Sequence, residues 1–395
     1  SGAFSRFIGN LTPETPYFFR ARATNAAGPV WAATTGTFTT PEYVPPTVVI
    51  NEIHYDENDK TVRAEFIELY NASDEVVELN GWKISSGVDF VFGAGVSLPA
   101  GGYLLVAEDP ATVQARFGRS ALGPWSGRLR NGGEVVTLRD PSGNVIDQVD
   151  YKLGFPWPTV GDPVGSPAAS PSIQLVNPGL ENDVGGSWRS ARPTPGAQNA
   201  VFAANVAPAV RRVGHEVIGR ELGRDDTVRP GEDVRIVATV TDADAVDSVS
   251  LDYQLVNPGD YIKIDDVRYN SSWTNVAMRD EGTGGDELAG DGVFSALIPG
   301  ATNTHRRLVR YRIHASDTAA NSVRVPYPDD PVPNFAYFVY GAVPTWTASD
   351  QPGQPTTTYD FTRMEPVAVY QLITTRSEHV ESQSIPDSSN PPYRG

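Results

Sequence analysis

The chain is a succession of short apolar runs separated by turn residues, and this spacing restricts it to a β-rich fold. Apolar and polar residues alternate within each run, and the runs recur about every 8–12 residues with Gly, Pro, Asn or Asp between them. The 37 glycines and 33 prolines are spread along all 395 residues, so turns are frequent throughout. The pattern predicts an all-β protein of two or three domains.

One segment departs from this pattern. Residues 110–117 have helical spacing, with Pro110 at the start and Gly118 directly after the end. Pro is favoured in the first turn of a helix and Gly just beyond its end. We expect a single connecting helix of two turns here.

Pro-rich stretches at 39–46, 193–199 and 341–355 divide the chain. We expect tandem immunoglobulin-like β-sandwiches joined by these linkers. The predicted modules are a partial one at 1–41, whole ones at 46–200 and 205–340, a linker at 341–362, and the start of another module at 363–395. Because the chain begins without Met and inside a partial module, we expect a piece of a longer protein.

Charge and composition exclude several classes of function. The formal net charge is −17, and the densest basic cluster is only His305 to Arg307, followed by Arg310. We therefore expect no nucleic-acid partner. The chain has no cysteine, so thiol nucleophiles, disulfides and thiolate zinc sites are excluded. No apolar run approaches the ~18 residues of a membrane span.

Residues 11–28 resemble the last part of a fibronectin type III domain. Tyr17 opens a strand, the turn from Asn25 to Gly28 follows, and a final strand is expected from Trp31 to Phe38. The resemblance implies a spacer or interaction module without chemistry of its own.

A longer ordered set of strands follows, at 48–55, 65–71, 76–79, 81–84, 98–107, 129–147 and 172–175, with Trp188 and the turn at 193–199. This set resembles the lamin tail domain family over residues 46–200. The resemblance implies an immunoglobulin-like β-sandwich. It also implies an exported bacterial protein, since the family occurs there beside adhesion modules, nucleases or other enzymes.

The acids of this region do not form an obvious active site. The two-residue period of a strand places Glu65 with Ile67 and Leu69, and Glu68 on the opposite face. We interpret Glu52, Glu65 and Glu68 as acids that bond backbone or face solvent at the sheet rim. His54 has no partner histidine nearby, which disfavours a metal site.

Strands at 233–241, 249–253, 308–317 and 334–340 resemble the immunoglobulin-like or cadherin-like domains of large exported bacterial proteins. The segment 280–292 alternates carboxylates with glycines and can fold around a hard cation. We expect Asp280, Asp286 and Asp291 as ligands of a Ca²⁺ ion. The spacing differs from an EF-hand, and an acidic hairpin loop without metal is the alternative.

Residues 363–375 resemble the opening strand of the CotH kinase-like family, whose catalytic residues would lie beyond residue 395. The five histidines are scattered, and no nucleophile elbow, Walker-type loop or His-Glu-x-x-His motif is present. We therefore expect no catalytic or cofactor-binding residues. The sequence indicates a monomeric, non-catalytic spacer or adhesion array with polysaccharide or protein ligands on the cell envelope or matrix. An accessory region of an exported CotH-like kinase, or another enzyme, is the alternative.

Overall fold

A computed structural model describes residues 11, 15–25, 28–41, 47–160, 170–222, 227–343, 345–349, 353–364 and 373–382. Over these residues the chain forms 26 strands and four short α-helices, which confirms the predicted all-β class. The chain divides into two compact units, Ser1–Val206 with Asp329–Pro331, and Ala207–Pro328 with Val332–Gly395. The finer module boundaries stay predictions.

The first unit begins with four strands in two antiparallel pairs: β1 (Pro16–Phe19) with β4 (Gly36–Thr39), and β2 (Arg22–Asn25) with β3 (Gly28–Trp31). The single final strand expected from Trp31 to Phe38 is wrong. One strand, β3, ends at Trp31 and the next, β4, begins at Gly36, because β3 pairs with β2 whereas β4 pairs with β1 and the chain must turn between the two partners.

The next twelve strands of this unit are β5 (Val48–His54), β6 (Phe66–Asn71), β7 (Val77–Glu78), β8 (Lys83–Ser85), β9 (Val88–Val91), β10 (Ser97–Leu98), β11 (Tyr103–Ala107), β12 (Ser126–Gly127), β13 (Gly133–Arg139), β14 (Val145–Lys152), β15 (Ser172–Leu175) and β16 (Trp188–Ala191). They form two five-stranded antiparallel sheets, the first with the order β11-β6-β5-β15-β16 and the second with the order β12-β9-β8-β13-β14, while β7 pairs with β10. The inner faces share one apolar core that includes Ile67, Leu138 and Trp188.

The predicted connecting helix is confirmed as α1 (Pro110–Phe117). The side chain of Asp109 caps its first turn by accepting from the Ala111 amide at 3.0 Å. Gly118 ends it in the left-handed region at φ 69°, which only glycine adopts without strain. Val113 packs with Phe66 on the outer face of the first sheet, so α1 covers part of that face.

The strands of the second unit are β17 (Ala209–Val217), β18 (Val234–Thr241), β19 (Val246–Val256), β20 (Thr274–Ala277), β21 (Val293–Ile298), β22 (Leu308–Asp317), β23 (Ser322–Val325), β24 (Phe335–Phe338), β25 (Trp346–Ala348) and β26 (Thr357–Tyr359). They include a three-stranded sheet of order β17-β18-β21 and a five-stranded sheet in which β20, β19, β22 and β23 are neighbours and β24 also pairs with β22. Every second residue of β18 is buried, as a sandwich requires.

Three short helices, α2 (Val267–Ser271), α3 (Phe361–Met364) and α4 (Arg376–Ser382), were not predicted because they are too short for a clear period. In the part of the chain that the structure describes, no helix combines the length and apolarity needed to cross a membrane.

The stretch expected to be a linker, 341–362, contains a paired hairpin, because β25 bonds with β26 and the rings of Trp346 and Tyr359 lie 5.8 Å apart. The strand expected to begin at Arg363 is wrong at its start, where α3 continues to Met364. Its centre, 365–372, and the tail 383–395 lie outside the described residues. The CotH-like resemblance therefore stays a prediction.

Candidate functional site

Two of the acids singled out in the sequence form a buried pair. Glu52 on β5 lies directly opposite Glu68 on β6 in the strand register. Cross-strand partners share a face, so both carboxyl groups lie on the outer face of the first sheet. Each residue is 0% exposed. The sequence could not predict this pair, because the spacing along one strand says nothing about which strand lies beside it.

The turn at 193–199 supplies backbone partners for this pair. Glu52 accepts a hydrogen bond from the Thr194 amide at 3.0 Å. Glu68 accepts from the Gly196 amide at 2.5 Å and from the side-chain amide of Asn51 at 2.8 Å. The interpretation that these acids bond backbone is confirmed. The alternative that they face solvent is wrong, because a chain segment distant in sequence covers this part of the sheet.

The buried pair has altered proton affinity. Burial, together with a smaller contribution from the neighbouring Glu52 carboxyl, raises the pKa of Glu68 to about 8. Burial also raises the pKa of Glu52, while hydrogen bonds from Ser172 and Thr194 act in the opposite direction. Glu68 therefore holds a proton over most of the neutral range in the folded state.

Glu65 and His54 lie apart from the pair. Glu65 points to the other face of the sheet, as predicted, and accepts from the Leu129 amide at 3.3 Å. Burial raises its pKa to about 7, with a further contribution from Glu108. The His54 ring stacks on Phe66 at a centroid distance of 5.4 Å, and burial lowers its pKa. Glu65 and Glu68 thus lie on opposite faces of the sheet and have different hydrogen-bond partners.

Two shallow grooves open on this unit. One, of about 470 Å³, has an aromatic and amide lining that includes Tyr70, Tyr103, Asn177, Gln198 and Phe202. The other, of about 460 Å³, is lined by Arg116, Phe117, Arg119, Arg192, Pro193, Thr194, Pro195 and Ala197. The Glu52–Glu68 pair lines neither groove.

In the second unit, the three predicted calcium ligands come together. One carboxylate oxygen from each of Asp280, Asp286 and Asp291 lies within 4.8 Å of the other two. This spacing suits oxygen ligands of one hard cation. Whether they bind calcium stays a prediction.

The same carboxylates already accept hydrogen bonds from the loop that carries them. Asp280 accepts from the amides of Gly290 at 2.8 Å and Gly292 at 3.0 Å. Asp286 accepts from the Gly282 amide at 2.6 Å. These bonds hold the loop between β20 and β21 closed, which is also what the metal-free hairpin alternative requires.

A second acidic group, Asp242, Asp244 and Asp317, also brings three carboxylate oxygens within 4.8 Å of one another. The sequence shows only the turn at Asp242 and Asp244. Asp317 joins it because the far end of β22 pairs with the start of β19, where Asp317 is in register with Val246.

Sequence reasoning also missed a cationic face on the second unit. Arg310, Arg312 and His314 alternate along β22, and Arg324 on β23 lies opposite His314. Of these, only Arg310 was noted, as the edge of a weak basic cluster. The alternation of polar residues along β22 could have predicted that Arg310, Arg312 and His314 share a face. No local pattern indicates that Arg324 lies beside them, because this depends on the pairing of β22 with β23.

Residues 41–152 match the family model described as Lamin Tail Domain. The match confirms the predicted resemblance for this segment, which contains both members of the buried glutamate pair. The fibronectin, second immunoglobulin-like and CotH-like resemblances stay predictions. No curated protein sequence matches the chain.

Two solved structures are similar in part. One is a Ca²⁺-stabilized adhesin that helps an Antarctic bacterium to bind ice, 13% identical, with a TM-score of 0.19; the alignment covers 84% of this chain and 59% of the adhesin. The other is a 1.5-MDa bacterial ice-binding adhesin, 11% identical, with a TM-score of 0.18; the alignment covers 83% of this chain and 75% of that one. The present chain thus spans 59% of the first adhesin's length. At these scores the likeness supports no conclusion about function.

Proposed function

We propose that this chain is a non-catalytic array of β-modules from a secreted or cell-surface bacterial protein, which spaces or presents binding surfaces toward envelope or matrix ligands. One observation carries the proposal. The buried pair of acids, Glu52 and Glu68, is sealed inside the lamin-tail-like module and bonded to its own backbone.

A catalytic acid or base must come within hydrogen-bond reach of its substrate. Neither glutamate of the pair has exposed surface, and a substrate would have to displace the turn at 193–199 to reach them. A perturbed pKa does not by itself mark a functional site, since structural networks perturb pKa values as well. The pair therefore ties this turn to the sheet and serves the module's architecture.

We further propose that the chain is a monomer whose acidic exterior keeps neighbouring copies apart. In this role the acidic loop at 280–292 stabilises the connection between β20 and β21 through its own hydrogen bonds, with or without calcium.

The test compares the full chain with its Glu68→Gln variant. We expect no turnover of chromogenic phosphate esters, carboxylic esters or glycosides by either protein, and retention of both on immobilised envelope polysaccharide or matrix protein. Turnover by the full chain that disappears in Glu68→Gln would refute the proposal. A Glu78→Gln variant, altered at an exposed position on β7, controls for nonspecific loss.

A further inference from the structure

The outer face of the five-stranded sheet in the second unit carries a concentration of cations, which we call the arginine face. It consists of Arg310, Arg312 and His314 on β22 and Arg324 on β23. The intervening residues Val309, Tyr311, Ile313 and Ala315 are buried on the opposite face. Strand alternation thus collects the cations on one side of the sheet, although the chain as a whole is acidic.

Negative charge on the strands of this face is sparse. Among the described strand residues that share the face, Asp252 on β19, opposite Arg312, is the one carboxylate. It accepts from His314 Nε2 at 3.0 Å and from Asn275 Nδ2 at 2.9 Å. Its nearest contact to the Arg312 guanidinium is longer, 3.7 Å to Nε. One carboxylate therefore faces three guanidinium groups, and most of its bonding is with other residues.

The two buried arginines differ in how they are satisfied. Arg310 donates to Gln254 Oε1 at 3.1 Å and lies 5.0 Å from the centroid of the Tyr261 ring. Arg312 is only 7% exposed and packs against the Trp273 ring at 3.7 Å, yet its buried Nε has no hydrogen-bond partner among the described residues. Arg312 is therefore held in place by an aromatic ring while part of its donor capacity stays unused.

The charge of Arg312 is incompletely compensated, since Asp252 comes no nearer than 3.7 Å, and an anion at the face adds compensation without having to reach the buried Nε. A carboxylate suits best, because its two oxygens match the planar fork of a guanidinium. Arg324, half-buried and also carrying an Nε without a partner, supplies a second fork beside Arg312. Burial lowers the pKa of Arg312, and the charge of Arg324 lowers it further. Arg324 is in register with His314, the next residue of this face along β22, so it lies diagonally across from Arg312.

The surroundings indicate what carries the carboxylate. The same face presents the hydroxyls of Ser248, Ser250 and Ser316. Ser248 bonds Ser316 at 2.7 Å and Ser250 accepts from Asn275 at 3.2 Å, which leaves each hydroxyl capacity for a further bond to a ligand rich in hydroxyl groups. Three guanidiniums in one place match a polymer ligand whose negative charges are widely spaced. A nucleic acid would need a longer basic stripe, and the net charge of −17 on the protein would repel it.

We propose that the arginine face binds the uronate carboxylates of an acidic polysaccharide, with Arg312 and Arg324 as the anion-binding pair. The inference rests on the proposed function of the chain as a binding array, and it assigns that array a ligand class and a site.

The test is calorimetric titration of the full chain with trigalacturonate at low ionic strength. We expect saturable binding that weakens as salt is added, and at least a tenfold loss of affinity in Arg324→Gln. Arg279→Gln, which removes an exposed arginine paired with Glu281 in the loop after β20, should bind as the parent does. Galactotriose and inorganic phosphate serve as ligand controls.

Arg324→Gln is preferred to Arg312→Gln because the latter also removes the packing on Trp273; an unchanged melting temperature verifies that the Arg324 variant is folded. Absence of trigalacturonate binding, equal affinity in Arg324→Gln, or equally tight binding of galactotriose or phosphate would each overturn the assignment. None of these outcomes would bear on the non-catalytic role, which only turnover contradicts.

Discussion

The buried carboxyl groups of the first unit predict that its stability falls as pH rises from 6.5 to 8. Glu65 and Glu68 have pKa values of about 7 and 8 in the folded chain, against 4.5 for an ordinary glutamate. At a pH between 4.5 and the raised pKa of each group, the folded state holds a proton that the unfolded state has released. Unfolding therefore releases protons, and raising the pH favours it. The usual ion-paired carboxylate, whose pKa is lowered, has the opposite effect.

The size of the effect follows from the same pKa values. Over this interval Glu68 contributes about 1.5 kcal/mol and Glu65 somewhat less than 1 kcal/mol, which its partial solvent access reduces further. The expected fall in the free energy of unfolding is about 2 kcal/mol. The interval starts at 6.5 because burial lowers the pKa of His54, which makes stability rise with pH below that point. Asp147 and Asp183, with pKa values of about 6, contribute little above it.

Hydrogen exchange of the β5 and β6 amides, followed through a urea series at each pH, measures this free energy in the full chain without mixing the two units. Glu68→Gln should remove about 1.5 kcal/mol of the fall whatever its effect on absolute stability. Glu78→Gln, at an exposed position, should leave the fall unchanged. A stability that is constant or rises from pH 6.5 to 8, or an undiminished fall in Glu68→Gln, would refute the reasoning.

Three further predictions concern individual contacts. Asn199→Ala should lower the unfolding free energy of the first unit by about 2–4 kcal/mol in urea titration, because the side chain donates to the buried carbonyls of β5 and β15 at 2.9 and 2.8 Å; a loss under 1 kcal/mol would contradict this. Gly133→Ala should lower the unfolding free energy by a similar ~2–4 kcal/mol, since the φ of Gly133 is 102° and the new Cβ would lie 2.4 Å from the Tyr151 carbonyl oxygen. Gly132→Ala, whose Cβ would meet no atom within 4 Å, should leave the unfolding free energy nearly unchanged in the same titration. Millimolar Ca²⁺ should stabilise the second unit and raise its melting temperature; at a hundredfold excess over the dissociation constant the gain in unfolding free energy is about 3 kcal/mol. Asp280→Asn should abolish this rise in melting temperature. A melting temperature that changes with neither Ca²⁺ nor chelator would refute the calcium site.

Much of the fold is legible in the sequence because its signals are local. The alternation in 308–317 identifies β22 to the residue, and Pro110 and Gly118 mark both ends of α1. Each of these signals acts through the conformational preference of neighbouring residues, so no distant partner is needed. The carboxylates at 280–292 come together for the same reason, since glycines let a short loop close on itself.

Errors arise where a local signal depends on a partner. The segment from Trp31 to Phe38 has the composition of one strand, but β3 ends at Trp31 and β4 begins only at Gly36, because these two strands pair with different neighbours. The hairpin of β25 and β26 forms inside a stretch whose Pro and Gly content indicates a linker, because the two ends contain residues that pair and stack.

The sequence by itself determined the β class, the positions of most strands, the connecting helix and the lamin-tail-like segment. It also determined that Glu65 and Glu68 occupy opposite faces of their strand. Only the tertiary structure decided that Glu52 lies beside Glu68, that the turn at 193–199 covers them, and that Arg324 joins Arg312 on one face. A period of two along a strand specifies a side of the sheet, whereas the neighbour on that side depends on strand pairing across long sequence separations, which no local pattern encodes.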